Sequence, residues 1–92
     1  MRLVLVVFQP WHSRLQLQLL GCFPSLDQAR EMARQEGAGK EVAAFALGTD
    51  DFCRDFPMMP LVGNAPALCE EYKRESWPGR ENGSLYVMEF EA

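Results

Sequence analysis

The fold is decided first by the stretch LVLVVF at residues 3–8. This run is uniformly apolar and rich in valine and leucine, which is typical of a strand that is covered on both faces. We therefore predict a central β-strand over residues 2–8. The sequence QPWHS at 9–13 breaks the pattern, and residues 14–20 then alternate leucine with glutamine. That alternation predicts a half-buried second strand, paired with the first as a hairpin.

A helix is predicted to begin at Ser25. The sequence SLDQ at 25–28 matches a capping box, and Asp27 suits the positive end of the helix dipole. The apolar residues that follow share one helical face, and Gly37 supplies a stop. These apolar residues are Leu26, Ala29, Met32 and Ala33.

The second half of the chain predicts a strand at 41–47, an irregular loop at about 48–64, a helix at 65–76 and a strand at 85–90. Asn64 and Pro66 suit the start of that second helix, whose residues Glu70, Glu71, Lys73 and Arg74 are expected to face solvent. The predicted fold is a single α+β domain over 1–92. It is a two-layer sandwich of a four-stranded sheet with two helices on one face, in the order β-β-α-β-α-β.

The charge of the chain is acidic and unevenly distributed. Its 92 residues carry a formal net charge of -4, and nine of the thirteen acidic residues lie at 50–92. The nine cationic residues are dispersed, so we expect no direct binding to nucleic acid, which requires clustered lysine and arginine. A larger basic protein or nucleoprotein complex is the more compatible partner.

Three cysteines, Cys22, Cys53 and Cys69, have spacings that match neither a disulfide framework nor a zinc knuckle. We therefore expect a cytoplasmic protein with no disulfide, metal or cofactor, in which the cysteines act as small apolar residues. The apolar run at 3–8 is too short to span a membrane, so no membrane association is expected.

The candidate partner-binding residues combine carboxylates with apolar side chains. The carboxylates would steer a basic partner and the apolar groups would anchor it. The alternative is that the apolar residues of the 48–64 loop fill the core and the carboxylates only solubilise the surface. The candidate residues are Asp50, Asp51, Asp55, Phe56, Met58, Glu70, Glu71, Glu75 and Trp11.

No catalytic residue is predicted, because the single histidine, His12, has no identifiable partner in the sequence. The leading hypothesis is a small, acidic, non-catalytic binding protein, an inhibitor that occupies a basic site on a larger partner. In size and acidity the chain is similar to the small inhibitors of phages and other mobile elements, including anti-CRISPR proteins. One alternative is an accessory subunit or small-ligand sensor with a ferredoxin-like sheet, able to form a homodimer. A second is a small enzyme that uses His12 with a carboxylate.

Overall fold

In a computed structural model that describes residues 2–13, 15–46, 48–56 and 65–91, the chain forms one antiparallel sheet with a helix on each face. The strands lie in the order β2-β1-β5-β4-β3. The strands are β1 (Arg2–Pro10), β2 (Gln18–Phe23), β3 (Glu41–Phe45), β4 (Leu68–Arg74) and β5 (Gly83–Glu91). The helices are α1 (Leu26–Gln35) and α2 (Thr49–Asp55).

The first strand and its hairpin partner are confirmed. β1 pairs with β2 on one side and with β5 on the other, and its residues Val4, Val6 and Val7 are buried. β2 starts at Gln18, later than predicted, because its ladder with β1 begins where Gln18 pairs with Phe8. In the turn after β1, the Ser13 N–H donates to Pro10 O at 3.2 Å. Burial on both faces follows from the continuous apolar run.

Helix α1 begins and ends where the sequence predicts. The Ser25 hydroxyl accepts a hydrogen bond from the Gln28 backbone N–H at 3.3 Å, as an N-cap does. Gly37 follows the C-cap with φ of 95°, a conformation that favours glycine. The buried Ala29 and Ala33 let the helix pack closely on Val4 and Val87 of the sheet.

The predicted second helix at 65–76 is wrong, because this segment contains β4, which pairs with both β3 and β5. A helix instead occupies Thr49–Asp55, inside the predicted irregular loop, and residues 57–64 of that loop lie outside the described residues. Over the described ranges, the number of helices and the α+β class are confirmed, but the sheet has five strands instead of four. The observed order β-β-α-β-α-β-β also differs from the β-α-β-β-α-β of a ferredoxin-like sheet.

The predicted two-layer arrangement is also wrong, because α2 lies on the face opposite α1. Phe52 of α2 and Phe56, the C-cap of this helix, pack with Tyr86, Met88 and Phe90 of β5. The physical reason is that β1 and β5 are apolar on both faces, so one helical layer cannot bury them. The sheet therefore lies between α1 and the shorter α2. We call the side that α1 covers the α1 face and the side that α2 covers the α2 face.

Candidate functional site

Two adjacent glutamates on β4 point to opposite faces of the sheet. Glu70 lies opposite Val87, which packs beneath α1, while Glu71 lies opposite Tyr86, which packs beneath α2. The opposite orientations follow from the alternation of side chains along a strand. The two carboxylates therefore have the same local sequence but different tertiary surroundings.

On the α1 face, the Glu70 carboxylate is held by a cation from the same chain. The Arg30 guanidinium donates to both of its oxygens, with Nε at 2.9 Å from Oε1, and the Tyr72 hydroxyl donates to Oε1 at 2.9 Å. The hydrogen bonds from Arg30 are the main cause of a lowered pKa for Glu70. Glu70 is only 5% exposed, so the prediction that it faces solvent is wrong.

Arg74 is a second charged residue that the sequence wrongly placed in solvent. Its Nε donates to the backbone oxygen of Glu81 at 2.8 Å, and Nη1 donates to that of Glu36 at 3.2 Å. The guanidinium lies 3.8 Å from the centre of the Phe8 ring, which adds a cation–π contact. Arg74 is therefore a structural residue of the α1 face, and its burial lowers its pKa.

On the α2 face, the Glu71 carboxylate contacts neutral hydroxyl groups. Its Oε2 accepts a hydrogen bond from the Ser84 hydroxyl at 2.9 Å and a longer one from the Tyr86 hydroxyl at 3.5 Å. Among the residues that the structure describes, no lysine or arginine forms an ion pair with Glu71. Glu71 is half-buried, so its carboxylate is partly removed from water, and the described part of the chain supplies no cation that pairs with it.

Glu71 lines a cleft of about 280 Å³ between α2 and the sheet, which we call the α2 cleft. Carboxylates and aromatic rings together form its wall, which is the combination that proteins use to bind organic cations. Its volume is slightly below the about 300 Å³ at which sites for drug-sized ligands begin, so it suits a single side chain. The lining residues are Gln9, Phe45, Asp55, Phe56, Glu71 and Tyr86.

Tyr86 supplies a hydroxyl donor to the α2 cleft. Burial, reinforced by the charge of Glu71, raises the pKa of Tyr86 to about 12. The phenol therefore stays protonated at neutral pH and remains available to donate to the carboxylate. The ring is also fixed, because it meets the Phe56 ring edge to face at a centroid distance of 4.9 Å.

The aspartates predicted to bind a partner lie on α2, beside the cleft. Asp50 and Asp51 are exposed, and Asp55 is half-buried and lines the cleft. Arg54 lies 3.2 Å from carboxylate oxygens of both Asp51 and Asp55, so it neutralises part of this charge. The helix nonetheless presents a net negative surface at the entrance to the cleft.

The other predicted partner-binding residues are dispersed. Phe56 is 3% exposed and forms part of the cleft wall, so it is not an exposed anchor. Glu75 is exposed just beyond β4, and Trp11 is half-exposed in the turn after β1. Met58 lies outside the described residues. The structure therefore unites Asp55, Phe56 and Glu71 in one site and does not bring Glu75 or Trp11 into the lining.

His12 forms an exposed pair with a carboxylate. Its Nε2 lies 2.8 Å from Oε2 of Glu81, and each side chain is more than half exposed. Glu81 also lines a second cleft of about 330 Å³ together with Leu15 and Leu17, and His12 is not among the lining residues. A pair in contact with bulk water lacks the desolvation that activates a catalytic histidine, so the second alternative, an enzyme using His12, gains no support.

The three cysteines differ in exposure. Cys22 and Cys53 are exposed and Cys69 is buried. Burial is the main cause that raises the pKa of the Cys69 thiol to about 12, with the charges of Glu71 and Glu70 adding to it. The Cys69 thiol is therefore protonated at neutral pH and packs as a small apolar residue beside Tyr86 and Met88.

Four residues that form or support the α2 cleft were missed by sequence reasoning: Gln9, Phe45, Ser84 and Tyr86. They come from β1, β3 and β5, which are distant in sequence and meet only through the strand order. The alternation of Tyr86 and Met88 in the predicted last strand, extended back to Ser84 just before it, was a usable signal. It places a hydroxyl-bearing pair on one face, but it could not identify Glu71 as their neighbour.

Comparison with known proteins finds no family model that matches the chain, and no similar curated protein or solved structure. None of the helices within the described residues is long and apolar enough to cross a membrane.

Proposed function

We propose that this chain is a small, non-catalytic binding protein that receives a basic side chain of a larger partner in the α2 cleft. The observation that carries this proposal is the contrast between the two glutamates of β4. Glu70 is neutralised by Arg30, whereas Glu71 lies in an open cleft with hydroxyl partners. A lysine or arginine side chain of a partner would supply Glu71 with the positive charge and hydrogen-bond donors that Arg30 supplies to Glu70.

The composition of the cleft favours an organic cation over a small neutral ligand. A hydrogen bond to a charged group contributes about 1.5–3 kcal/mol, and a cation over an aromatic ring contributes about 0.5–2 kcal/mol. The lost hydration of the cation offsets part of this gain. One side chain alone is therefore expected to bind only in the millimolar range, about -4 kcal/mol, and a macromolecular partner must supply further contacts.

The exposed carboxylates of α2 provide a way to accelerate the encounter. Asp50 and Asp51 lie on the same helix as Asp55, which borders the cleft. An acidic surface steers a basic partner and raises the association rate, an effect that salt weakens because the Debye length is only ~8 Å at physiological ionic strength. The net charge of -4 acts in the same direction.

Within this class, we favour an inhibitor that occupies a basic site on a larger protein or nucleoprotein complex in the cytoplasm. Such a site normally receives an acidic substrate or a phosphate backbone, and an acidic domain can compete for it. The likeness in size and acidity to inhibitors from mobile elements, anti-CRISPR proteins among them, stays a prediction.

The cleft is tested by NMR titration of the isotope-labelled protein with N-acetyl-lysine methylamide in the millimolar range. The neutral norleucine analogue is the matched ligand control. We expect shifts of the backbone amides of Phe45, Glu71 and Tyr86 with the lysine compound only. The Glu71→Gln protein should lose the shifts, and Glu75→Gln, which removes the same charge from an exposed position, should keep them. Equal shifts with both ligands, or an unaffected Glu71→Gln protein, would contradict the proposal.

The steering role is tested once a partner has been isolated by affinity capture from a lysate of the native host. Replacing Asp50, Asp51 and Asp55 by lysine should slow association at least tenfold at low salt, with a difference that shrinks as salt is added. An association rate equal to that of the wild-type protein at low salt would show that these carboxylates serve only solvation.

A further inference from the structure

The edge strand β2 lies in a stretch of the chain that carries no charge. Residues 15–26 read LQLQLLGCFPSL, without one acidic or basic side chain, in a chain that is 24% charged. Among the strands that the structure describes, β2 is terminal in the sheet and has β1 as its only neighbour. Edge strands of monomeric proteins are normally protected from further pairing by charged side chains or proline. β2 contains neither, and its one irregularity is a register shift between Val6 and Val7 that leaves Leu20 of β2 without a partner residue on β1.

Apolar side chains are exposed along this edge. Leu19 is 61% exposed in β2, and Leu15, which precedes the strand, is 64% exposed. Cys22 is also exposed. Cys22 pairs with Leu5 and Leu19 pairs with Val7, and both partners pack on the α2 face, so Cys22 and Leu19 lie on that face too. The half-buried Leu3 and Leu5 of β1 continue this surface toward the core. We call the surface formed by Leu19, Cys22 and the outer side of β2 the β2 edge.

The opposite edge of the sheet has a different character. β3 has the sequence EVAAF, begins with the exposed Glu41, and follows Lys40. Ala44, which is also exposed, has a small side chain. β3 is thus short and charged, as protected edges are, so the two edges of one sheet differ in their readiness to accept another strand.

We infer that the β2 edge is the contact between two copies of this chain, with the two β2 strands antiparallel across a two-fold axis in one ten-stranded sheet. Two copies of a protein with a net charge of -4 repel each other wherever acidic surfaces meet. The β2 edge has no charge to repel its own copy, and none to attract a basic partner. A two-fold axis also brings each exposed apolar residue of this edge against the same surface of the other copy.

This contact has a salt dependence opposite to that of the proposed partner binding. Salt screens the repulsion between two acidic copies, so the dimer should tighten as salt rises. Binding of a basic partner through α2 should weaken under the same change. The two surfaces also involve different strands, because the α2 cleft is lined by β1, β3, β4, β5 and α2. Loss of one contact therefore leaves the other testable.

The oligomeric state is measured by sedimentation equilibrium of the full chain across the micromolar range. We expect a reversible dimer whose dissociation constant falls with added salt. Leu19→Glu places a charge on the β2 edge and should raise the dissociation constant at least tenfold. Ala44→Glu adds the same charge to an exposed position of the β3 edge and should leave it unchanged. Circular dichroism checks that both variants are folded.

A second measurement needs no substitution at the edge. Cys22 and Cys53 are exposed, so both thiols should react with a maleimide, while reaction of the buried Cys69 would report unfolding. Dilution from dimer to monomer should increase the rate at Cys22 at least threefold and leave the rate at Cys53 unchanged, as resolved by peptide mass spectrometry. A monomer at all concentrations, a dimer lost in Ala44→Glu but kept in Leu19→Glu, or Cys22 reactivity independent of dilution would each overturn the inference.

Discussion

The two faces of the sheet differ in the partners that they provide for a carboxylate, as Glu70 and Glu71 show. On the α1 face, the buried Glu70 carboxylate accepts hydrogen bonds from Arg30 and Tyr72. Because Arg30 belongs to α1, this ion pair holds the helix to the sheet. On the α2 face, the neighbouring carboxylate meets hydroxyl groups in a cleft. A partly buried charge that another residue of the same chain neutralises contributes to the stability of the fold. A partly buried carboxylate that no cation of the described residues neutralises is the better candidate for recognition, as we propose for Glu71.

The comparison between the two faces requires that α2 is firmly packed against the sheet. Phe52 is fully buried, and its ring lies 5.2 Å from that of Phe56 and 6.2 Å from that of Phe90. Phe52→Ala should therefore reduce the free energy of unfolding by about 3–5 kcal/mol, through lost burial and the cavity that remains. Urea denaturation measures this value. A loss below about 1 kcal/mol would mean that α2 does not form the wall of a packed cleft.

The two glutamates should respond differently to the same isosteric change. Glu70→Gln removes the buried counter-ion of Arg30 and leaves only the exposed Asp27, whose Oδ1 lies 3.8 Å from Nη1 of Arg30. We expect a loss of about 1–3 kcal/mol because Arg30 remains partly hydrated. Glu71→Gln keeps an acceptor for the Ser84 hydroxyl and should cost less than about 0.5 kcal/mol. Chemical denaturation of both variants gives the difference. Equal losses would remove the distinction between a structural and a recognition carboxylate.

Acid should weaken the α1 face through Glu70. The pKa of Glu70 in the folded protein is lower than its ordinary value of 4.5, chiefly because Arg30 donates hydrogen bonds to it. Its contribution to stability is therefore complete above about pH 4.5 and is lost as pH falls through the lowered pKa. The free energy of unfolding of wild-type protein should decrease more steeply below pH 4.5 than that of Glu70→Gln. Parallel curves would show that the Arg30 pair contributes nothing to acid stability.

The helix termini should give the smallest differences. The Ser25 side chain caps α1, whereas the N-cap of α2 is Gly48, which has no side chain to do so. Ser25→Ala should cost about 0.5–2 kcal/mol. Gly48→Ser should stabilise by a few tenths of a kcal/mol, because Gly48 has an ordinary φ of -67° and open space around its Cα. Thermal denaturation compares the two, and an unaffected Ser25→Ala protein would show that the cap does not hold α1.

The sequence by itself determined the elements whose signals are local. The run at 3–8 forms a strand buried on both faces, Ser25 caps a helix that ends before Gly37, and residues 85–90 form a strand. Each signal depends on residues within a few positions of one another. The acidic character of the C-terminal half and the inclusion of Asp55, Phe56 and Glu71 among the candidates also came from sequence.

Only the tertiary structure decided the identity of β4 and the construction of the α2 cleft. The segment LCEEYKR has apolar residues compatible with a helical face, and the seven residues are too few for periodicity to exclude a strand. Pairing with β3 and β5 settles it as a strand, which places Glu70 and Glu71 on opposite faces. Their environments then come from Arg30, Ser84 and Tyr86, which lie 13 or more positions away in sequence. The residues next to a buried carboxylate in sequence do not determine which distant side chain contacts it, because strand order and register bring those side chains together.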